Sequence, residues 1–400
     1  MPRKRILFVF ADEQPQLIES IRQILNRRQN EWDVEFVSTG LEALSAMKRD
    51  PADVILTDML MPGMNGVELL QKAAELYPGT IRFIQSGEAD RKVVLESIGV
   101  AHRSITKPCD PETLRNFLTT SLGLRELLRR EELHARIAGI GALPSPPKIY
   151  NQLMSELQSE EASIKKIAET VSRDVSLTAK LLQMVNSAFF GLPRHVESIM
   201  QAVSMLGLAA VRGLVLTAGA FSQFKIPDLP EISIDSIYSH SLAVGTQAQK
   251  IAQAIGLPRP MCDEALMAGM LHDVGKLVML THFRDELRET LRMADEASIP
   301  VYEAEQRVMK VNHADIGTHL LSLWGLPDSI LEPVALHHDP RRMPIPQRSI
   351  LTAVHIANAI EHERHDMAGA VSHLDQDYVN KLGLAAKMDE FRENGQPERV

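Results

Sequence analysis

Four hundred residues exceed what one ordinary core holds, so two or three domains are expected. A net charge of −9 argues against a nucleic-acid partner, and two cysteines without CxxC spacing exclude a disulfide framework or a thiolate metal site and suit a reducing cytosol. The apolar run Ile6–Phe10 is too short for a signal peptide, and Met205–Phe221 is interrupted by Arg212 and glycines, so no membrane segment is expected.

From residue 1 to 122, short apolar runs alternate with amphipathic stretches. The runs Ile6–Phe10, Val34–Ser38, Val54–Asp58, Ile81–Gln85 and Val100–Thr106 read as strands. Pro15–Leu25, Leu41–Met47, Gly66–Leu76 and Arg91–Ile98 read as helices. This alternation predicts an α/β domain with a doubly wound parallel sheet. In such a sheet the ligand site lies beyond the carboxyl ends of the strands. Asp12 and Glu13 follow the first strand, Asp58 ends the third, Ser86 follows the fourth and Lys107 the fifth.

Asp58 taken alone also fits a turn or helix N-cap, where Asp is common. Its neighbours favour chemistry. Three carboxylates at one edge repel one another unless a hard divalent cation, Mg²⁺ by preference, sits among them. A carboxylate nucleophile, a metal and an ammonium group are what phosphoryl transfer to an aspartate requires, with Ser86 placed to contact the new phosphoryl group.

The acidic pair Asp12/Glu13, the stretch TDMLMPGMNG, QSG at 85–87 and TKP at 106–108 together resemble a response-regulator receiver domain. The resemblance implies that Asp58 accepts a phosphoryl group from a histidine kinase. It implies that Asp12, Glu13 and Asp58 hold Mg²⁺ with the backbone carbonyl of Leu60, and that Ser86 and Lys107 contact the phosphoryl group. Ala11 departs from the pattern by separating the apolar run from the acidic pair. So does Ser104, three residues before Lys107, where such domains often carry an aromatic that moves inward; the switch read-out is expected to differ. A receiver that has lost its chemistry and serves only for dimerisation is the competing reading.

Residues 123–142, GLRELLRREELHARIAGIG and its flank, read as one helix leaving the receiver. Its apolar stripe (Leu124, Leu127, Leu128, Leu133, Ile137) either pairs with a second copy, giving a homodimer, or packs on its own domain. The helix is expected to end at Gly139 and Gly141 before LPSPP.

From 143 to 375 the strand signal disappears. Helical periodicity runs through Val175–Asn186, Ile199–Leu206, Leu242–Ile255, Ala265–His272 and Ile350–Ile360, predicting an all-α domain of roughly a dozen helices. Its later half concentrates histidines: His240, the doublet His272–Asp273, His313, and His337–His338. A single helical histidine is ordinarily a core or surface residue. Imidazoles with a carboxylate in this number suit a Zn, Fe or Mn centre able to activate water on a phosphoester, with Lys276 near a phosphate oxygen. Asn186 and Ser187 read as residues that satisfy a buried turn. A last helix, Tyr378–Phe391, and a polar tail complete residues 376–400.

LPSPPKIYNQL at 143–153, RDVSLTAKLLQMVNSAFFG at 173–191, SIMQAVSMLG at 198–207 and HADIGTHLLSLWGLP at 313–327 resemble the HDOD domain, the HD-related output domain of the metal-dependent phosphohydrolase superfamily. The resemblance implies an output module that acts through protein partners and often lacks a complete catalytic set. HHDPRRMPIP has no GYP sequence, and Asn358 stands where HD hydrolases carry a late aspartate. Both departures weigh against turnover. The expected protein is a cytoplasmic response regulator whose HDOD output contacts a downstream protein. The competing reading is a phospho-regulated phosphohydrolase of cyclic dinucleotides or nucleotides.

Overall fold

The computed structural model describes residues 4–10, 32–86, 100–107, 109, 111–138, 140, 143–157, 164–187, 190, 195–224, 232–343, 347–365 and 374–394. The expected helices Pro15–Leu25 and Arg91–Ile98, the stops at Gly139 and Gly141, and the tail from 395 lie outside these residues. The chain divides into two compact units, Met1–Gly123 with Leu326–Asp328, and Leu124–Gly325 with Ser329–Val400.

The first unit is built on five parallel strands in the order β2-β1-β3-β4-β5: β1 (Lys4–Val9), β2 (Trp32–Val37), β3 (Val54–Asp58), β4 (Ile81–Ser86) and β5 (Arg103–Thr106). Helices α1 (Gly40–Arg49), α2 (Gly66–Leu76) and α3 (Pro111–Leu128) accompany them. The inner strands β1 and β3 are covered on both faces, which explains their near-continuous apolar runs. Ile6, Phe8, Val54, Leu56 and Phe83 pack with Leu114, Leu118 and Leu122 of α3. Leu7, Val9, Ile55 and Ile84 pack with Ala43, Met47, Leu69 and Leu70 of α1 and α2.

In the second unit, α4 (Glu131–Ala138) is followed by α5 (Lys148–Leu157), α6 (Ile164–Ser172), α7 (Val175–Val185), α8 (Ile199–Leu206) and α9 (Leu208–Gln223). Then come α10 (Ile234–Ala254), α11 (Arg259–Leu271), α12 (Val274–His282), α13 (Arg284–Ala297), α14 (Val301–Met309), α15 (His313–Leu323), α16 (Asp328–Leu336) and α17 (Ile350–His365). Short helices α18 (Gln376–Lys381) and α19 (Met388–Asn394) follow. No helix among the described residues is long and apolar enough to cross a membrane.

Asn186 satisfies the turn after α7 by pairing both ways with Val196, its Nδ2 donating to the carbonyl at 2.8 Å and its Oδ1 accepting from the amide at 2.7 Å. Ser187 Oγ donates to Met184 O at 2.6 Å.

Two sequence expectations are corrected. The connector is two helices: α3 ends at Leu128, whose carbonyl accepts from His134 Nε2 at 2.9 Å, and α4 starts at Glu131. Of the apolar stripe, Leu124, Leu127, Leu128 and Leu133 are buried and Ile137 is half-buried. The last segment is likewise two helices, because Gly383 takes φ +65° and ends α18.

Glycines set the closest helix crossings. A Cβ on Gly269 of α11 would lie 2.7 Å from the Cα of Gly245 on α10. A Cβ on Gly275 of α12 would lie 1.9 Å from the carbonyl oxygen of His313 on α15. Gly275→Ala is therefore expected to destabilise the second unit by about 3 kcal/mol or more, since packed backbone cannot relax around an added methyl. A denaturation midpoint equal to that of the parent would show that α12 and α15 separate at little cost.

Candidate functional site

The first site stands at the carboxyl edge of the sheet. Strand β3 is buried along its length and delivers Asp58, itself 5% exposed, to that edge. The register aligns Asp58 with Gln85 on β4, and Ser86 with Thr106 on β5, one residue before Lys107. The chain then turns back: Met59 N donates to Gln85 O at 2.9 Å and Gly66 N to Met59 O at 2.9 Å. Gly66 opens α2 against Asp58, where a Cβ would lie 2.2 Å from the Asp58 carbonyl oxygen. Asn65 and Glu68 cap this helix reciprocally. Lys107 Nζ lies 2.7 Å from Asp58 Oδ1. Leu60 sits in the turn with its side chain 66% exposed. Asp12, Glu13 and the side chain of Ser86 lie outside the described residues. A shielded carboxylate against an ammonium group is a pairing that can also hold phosphoryl oxygens.

The second site is in the helical unit. His240 comes from α10, His272 and Asp273 from the α11–α12 junction, Lys276 from α12, and His313 from the first turn of α15. His337 and His338 follow α16, and Asn358 lies on α17. Asp273 stands at the N-cap position of α12 but makes no side-chain cap. Its Oδ1 lies 3.1 Å from His313 Nε2, and its Oδ2 lies 2.7 Å from Lys276 Nζ, 3.4 Å from His272 Nε2 and 3.7 Å from His240 Nε2. His338 Nε2 is 3.0 Å from His313 Nε2, and Asn358 Oδ1 is 3.0 Å from His240 Nε2. Every histidine named from the sequence thus belongs to one cluster. Potential ligand atoms of His240, His272 and Asp273 lie within 4.8 Å of one another, as do those of His313, His337 and His338.

The hydrogen bonds around the rings show whether a metal fits. His272 Nδ1 bonds Gly269 O at 2.7 Å and His337 Nδ1 bonds Val334 O at 2.8 Å. A carbonyl only accepts, so each Nδ1 carries the proton and each Nε2 presents a lone pair. Both Nε2 atoms are buried and accept no hydrogen bond. Backbone-anchored imidazoles with unused inward lone pairs are what a metal site requires, so the residues fit a metal ion.

Sequence reasoning missed two supporting residues. Glu305, fully buried on α14, accepts from the His313 amide at 2.9 Å and lies 2.7 Å from His313 Nδ1, turning Nε2 toward Asp273. His355, in the buried part of α17, bonds His337 O through Nδ1 at 2.7 Å and accepts from Asp375 N through Nε2 at 2.9 Å. The signal for Glu305 was a charge eight residues before His313 on an amphipathic helix, which reads as solvated.

Burial lowers the pKa values of His240 (to about 3), His272, His337, His338 and His355. Burial alone would raise Asp273, but His272, Lys276 and His313 outweigh it and hold the carboxyl well below its usual range. Burial opposes the charge on His313 too, yet Glu305 and Asp273 raise it. In the unfolded chain the five lowered histidines take up protons from about pH 6.5 downward, so their contribution is present above that pH and lost as pH falls toward the folded values. His313 runs oppositely, its contribution lost as pH rises through its raised value. Five outweigh one. Chelator-treated protein should therefore melt at a lower temperature at about pH 5.5 than at about pH 7.5. A melting temperature that rises on acidification would contradict this.

A doubly wound sheet with Asp58 and Lys107 at its carboxyl edge, followed by a helical unit with a histidine–aspartate cluster, defines a two-part signalling protein. Residues 8–119 match the family model of the response regulator receiver domain, and residues 143–340 match that of the HDOD domain. The chain is a receiver domain joined to an HDOD domain, a response regulator with an HD-related output.

An uncharacterized protein of Treponema pallidum is 25% identical over 228 residues, 57% of this chain and 44% of that protein. The hydrogenase transcriptional regulatory protein HoxA of Cupriavidus necator is 29% identical over 141 residues, 34% of this chain and 29% of that protein. The chain thus spans less than half the length of these curated relatives. A solved HDOD domain protein of Geobacter sulfurreducens is similar with TM-score 0.54 and 25% identity, over 69% of this chain and 91% of that one.

Proposed function

We propose that this chain is a phosphorelay response regulator in which Asp58 accepts a phosphoryl group from a histidine kinase. The observation that carries the reading is Lys107 Nζ at 2.7 Å from the buried Asp58 carboxylate, at the carboxyl edge of a parallel sheet. Asp12, Glu13, Asp58 and the Leu60 carbonyl hold Mg²⁺, and Ser86 and Lys107 contact the phosphoryl group. Bound Mg²⁺ supplies positive charge that offsets the phosphoryl oxygens. The free thiols Cys109 and Cys262 suit the cytosol.

The HDOD output acts mainly by contact with a downstream protein, and it does so with a transition metal, Fe, Mn or Zn, held by His240, His272, Asp273, His313, His337 and His338. The unused Nε2 atoms of His272 and His337 favour a second reading, a metal-dependent phosphohydrolase of cyclic dinucleotides or nucleotides in which Lys276 contacts phosphate. In that reading the bound metal activates water. Asn358, beside His240, offers no charge where a carboxylate would bind metal. Elemental analysis of the purified chain, followed by hydrolysis assays on cyclic dinucleotides, separates the two. Bound metal without turnover supports the first reading, and turnover lost on chelation supports the second.

A further inference from the structure

The connector contacts the turn that precedes His313 of the histidine cluster. Helix α14 ends at Met309, and Lys310 follows with φ 65°. The last carbonyls of a helix have no partner within it. Here they accept from the connector: Arg136 Nε donates to Met309 O at 3.0 Å and Arg130 Nη2 to Lys310 O at 3.3 Å. Guanidinium charge at a helix C-terminus is also favourable. Arg130 Nη1 lies 3.5 Å from Asp315 Oδ2, a carboxylate side chain only 4% exposed. Asp315 closes the capping box of α15 with Asn312. His134 sets its ring edgewise on His319, with centroids 5.7 Å apart.

The same turn is held from inside by Glu305 of α14, which bonds both the amide and Nδ1 of His313. Residues 305–315 are therefore gripped between the connector and the cluster. Arg136 also pairs with Glu286 of α13 at 3.6 Å, and the other contacts fall on α14, α15 or the turn between them, the segment that sets the direction of His313 Nε2. By chain order the connector is also what joins the receiver to the output. The two guanidinium side chains are about one third exposed, and such pairs are individually weak, so this grip can be released.

We propose that the connector around α4 is a clamp on the α14–α15 turn, in which Arg130, just before α4, and Arg136 act as positioning residues for Glu305 and His313, so that the seating of the connector sets the metal affinity of the output domain. The inference rests on the metal-centre reading above.

The test is competitive titration of the full metal-stripped chain with Mn²⁺ against a chelating indicator. The parent is compared with an Arg130→Ala/Arg136→Ala double variant and with Asp315→Asn. Loss of a residue that orients a ligand lowers metal affinity about 10- to 100-fold. The double variant should fall in that range, and Asp315→Asn should add little on top of Arg130→Ala. A readout independent of metal is amide exchange in the stripped chain, which should quicken across residues 306–316 in the double variant. Arg130→Lys with Arg136→Lys keeps the charge, loses the fork geometry and should give an intermediate loss, which guards against an unfolded alanine variant. Equal affinity in parent and variants overturns the clamp while leaving the metal reading intact. A parent that takes up no Mn²⁺ overturns both.

Discussion

Asp58→Asn should abolish phosphoryl uptake from acetyl phosphate and Mg²⁺, read as loss of the phosphorylated species by intact-protein mass spectrometry. The change keeps the shape of the side chain and removes its nucleophilic charge. It also removes the partner of Lys107, 2.7 Å away. The Lys107 side chain is 34% exposed, so the lost pair is worth about 1 kcal/mol or less and the sheet should stay folded. The phenotype is then chemical and not structural. Lys107→Ala should retain slow uptake, because the nucleophile remains and only a contact to the phosphoryl group is lost. A phosphorylated Asp58→Asn chain would place the acceptor elsewhere.

Asp273→Asn should strip the output domain of metal. This carboxylate approaches both candidate ligand sets, with Oδ1 near His313 and Oδ2 near His272 and His240. Asn retains one oxygen but no charge. The change also leaves Lys276, 2.7 Å from this carboxylate, short of a counter-charge, which in a buried setting costs about 3–5 kcal/mol. His337→Gln is the companion variant: it deletes a buried Nε2 lone pair without altering charge, and it should lower metal content as well. Elemental analysis of both, with melting curves as a check on folding, decides the point. Unchanged metal in both variants would leave the histidines as packing groups.

Much of this arrangement was readable in the residues, for local reasons. Strand β3 and helix α2 announced themselves through a short apolar run, Pro62 and glycines, with Asp58 at the junction. The histidines were found by composition and order. What escaped was set by tertiary contact. Glu305 looks like one more charge on a solvated helix, and only the fold puts it beneath His313. His355 looks like an apolar-helix histidine without a task until the His337 carbonyl is placed against it. The connector break belongs to the same class, because its leucines continue at helical spacing past Leu128 and nothing local in the sequence marks the stop. The divided last segment was legible: Gly383 stood inside the expected helix and was passed over.

The paired glycines give the histidine cluster a fixed gauge. At Gly245 and Gly269, and again where Gly275 meets α15, backbone lies against backbone with only hydrogen between. Helices in that state have no nearer position to take. A variant chain that acquires any side chain at these points can only widen the cluster. Any change in the spacing of the cluster must therefore come from exchanging its side chains, and not from drawing the helices together.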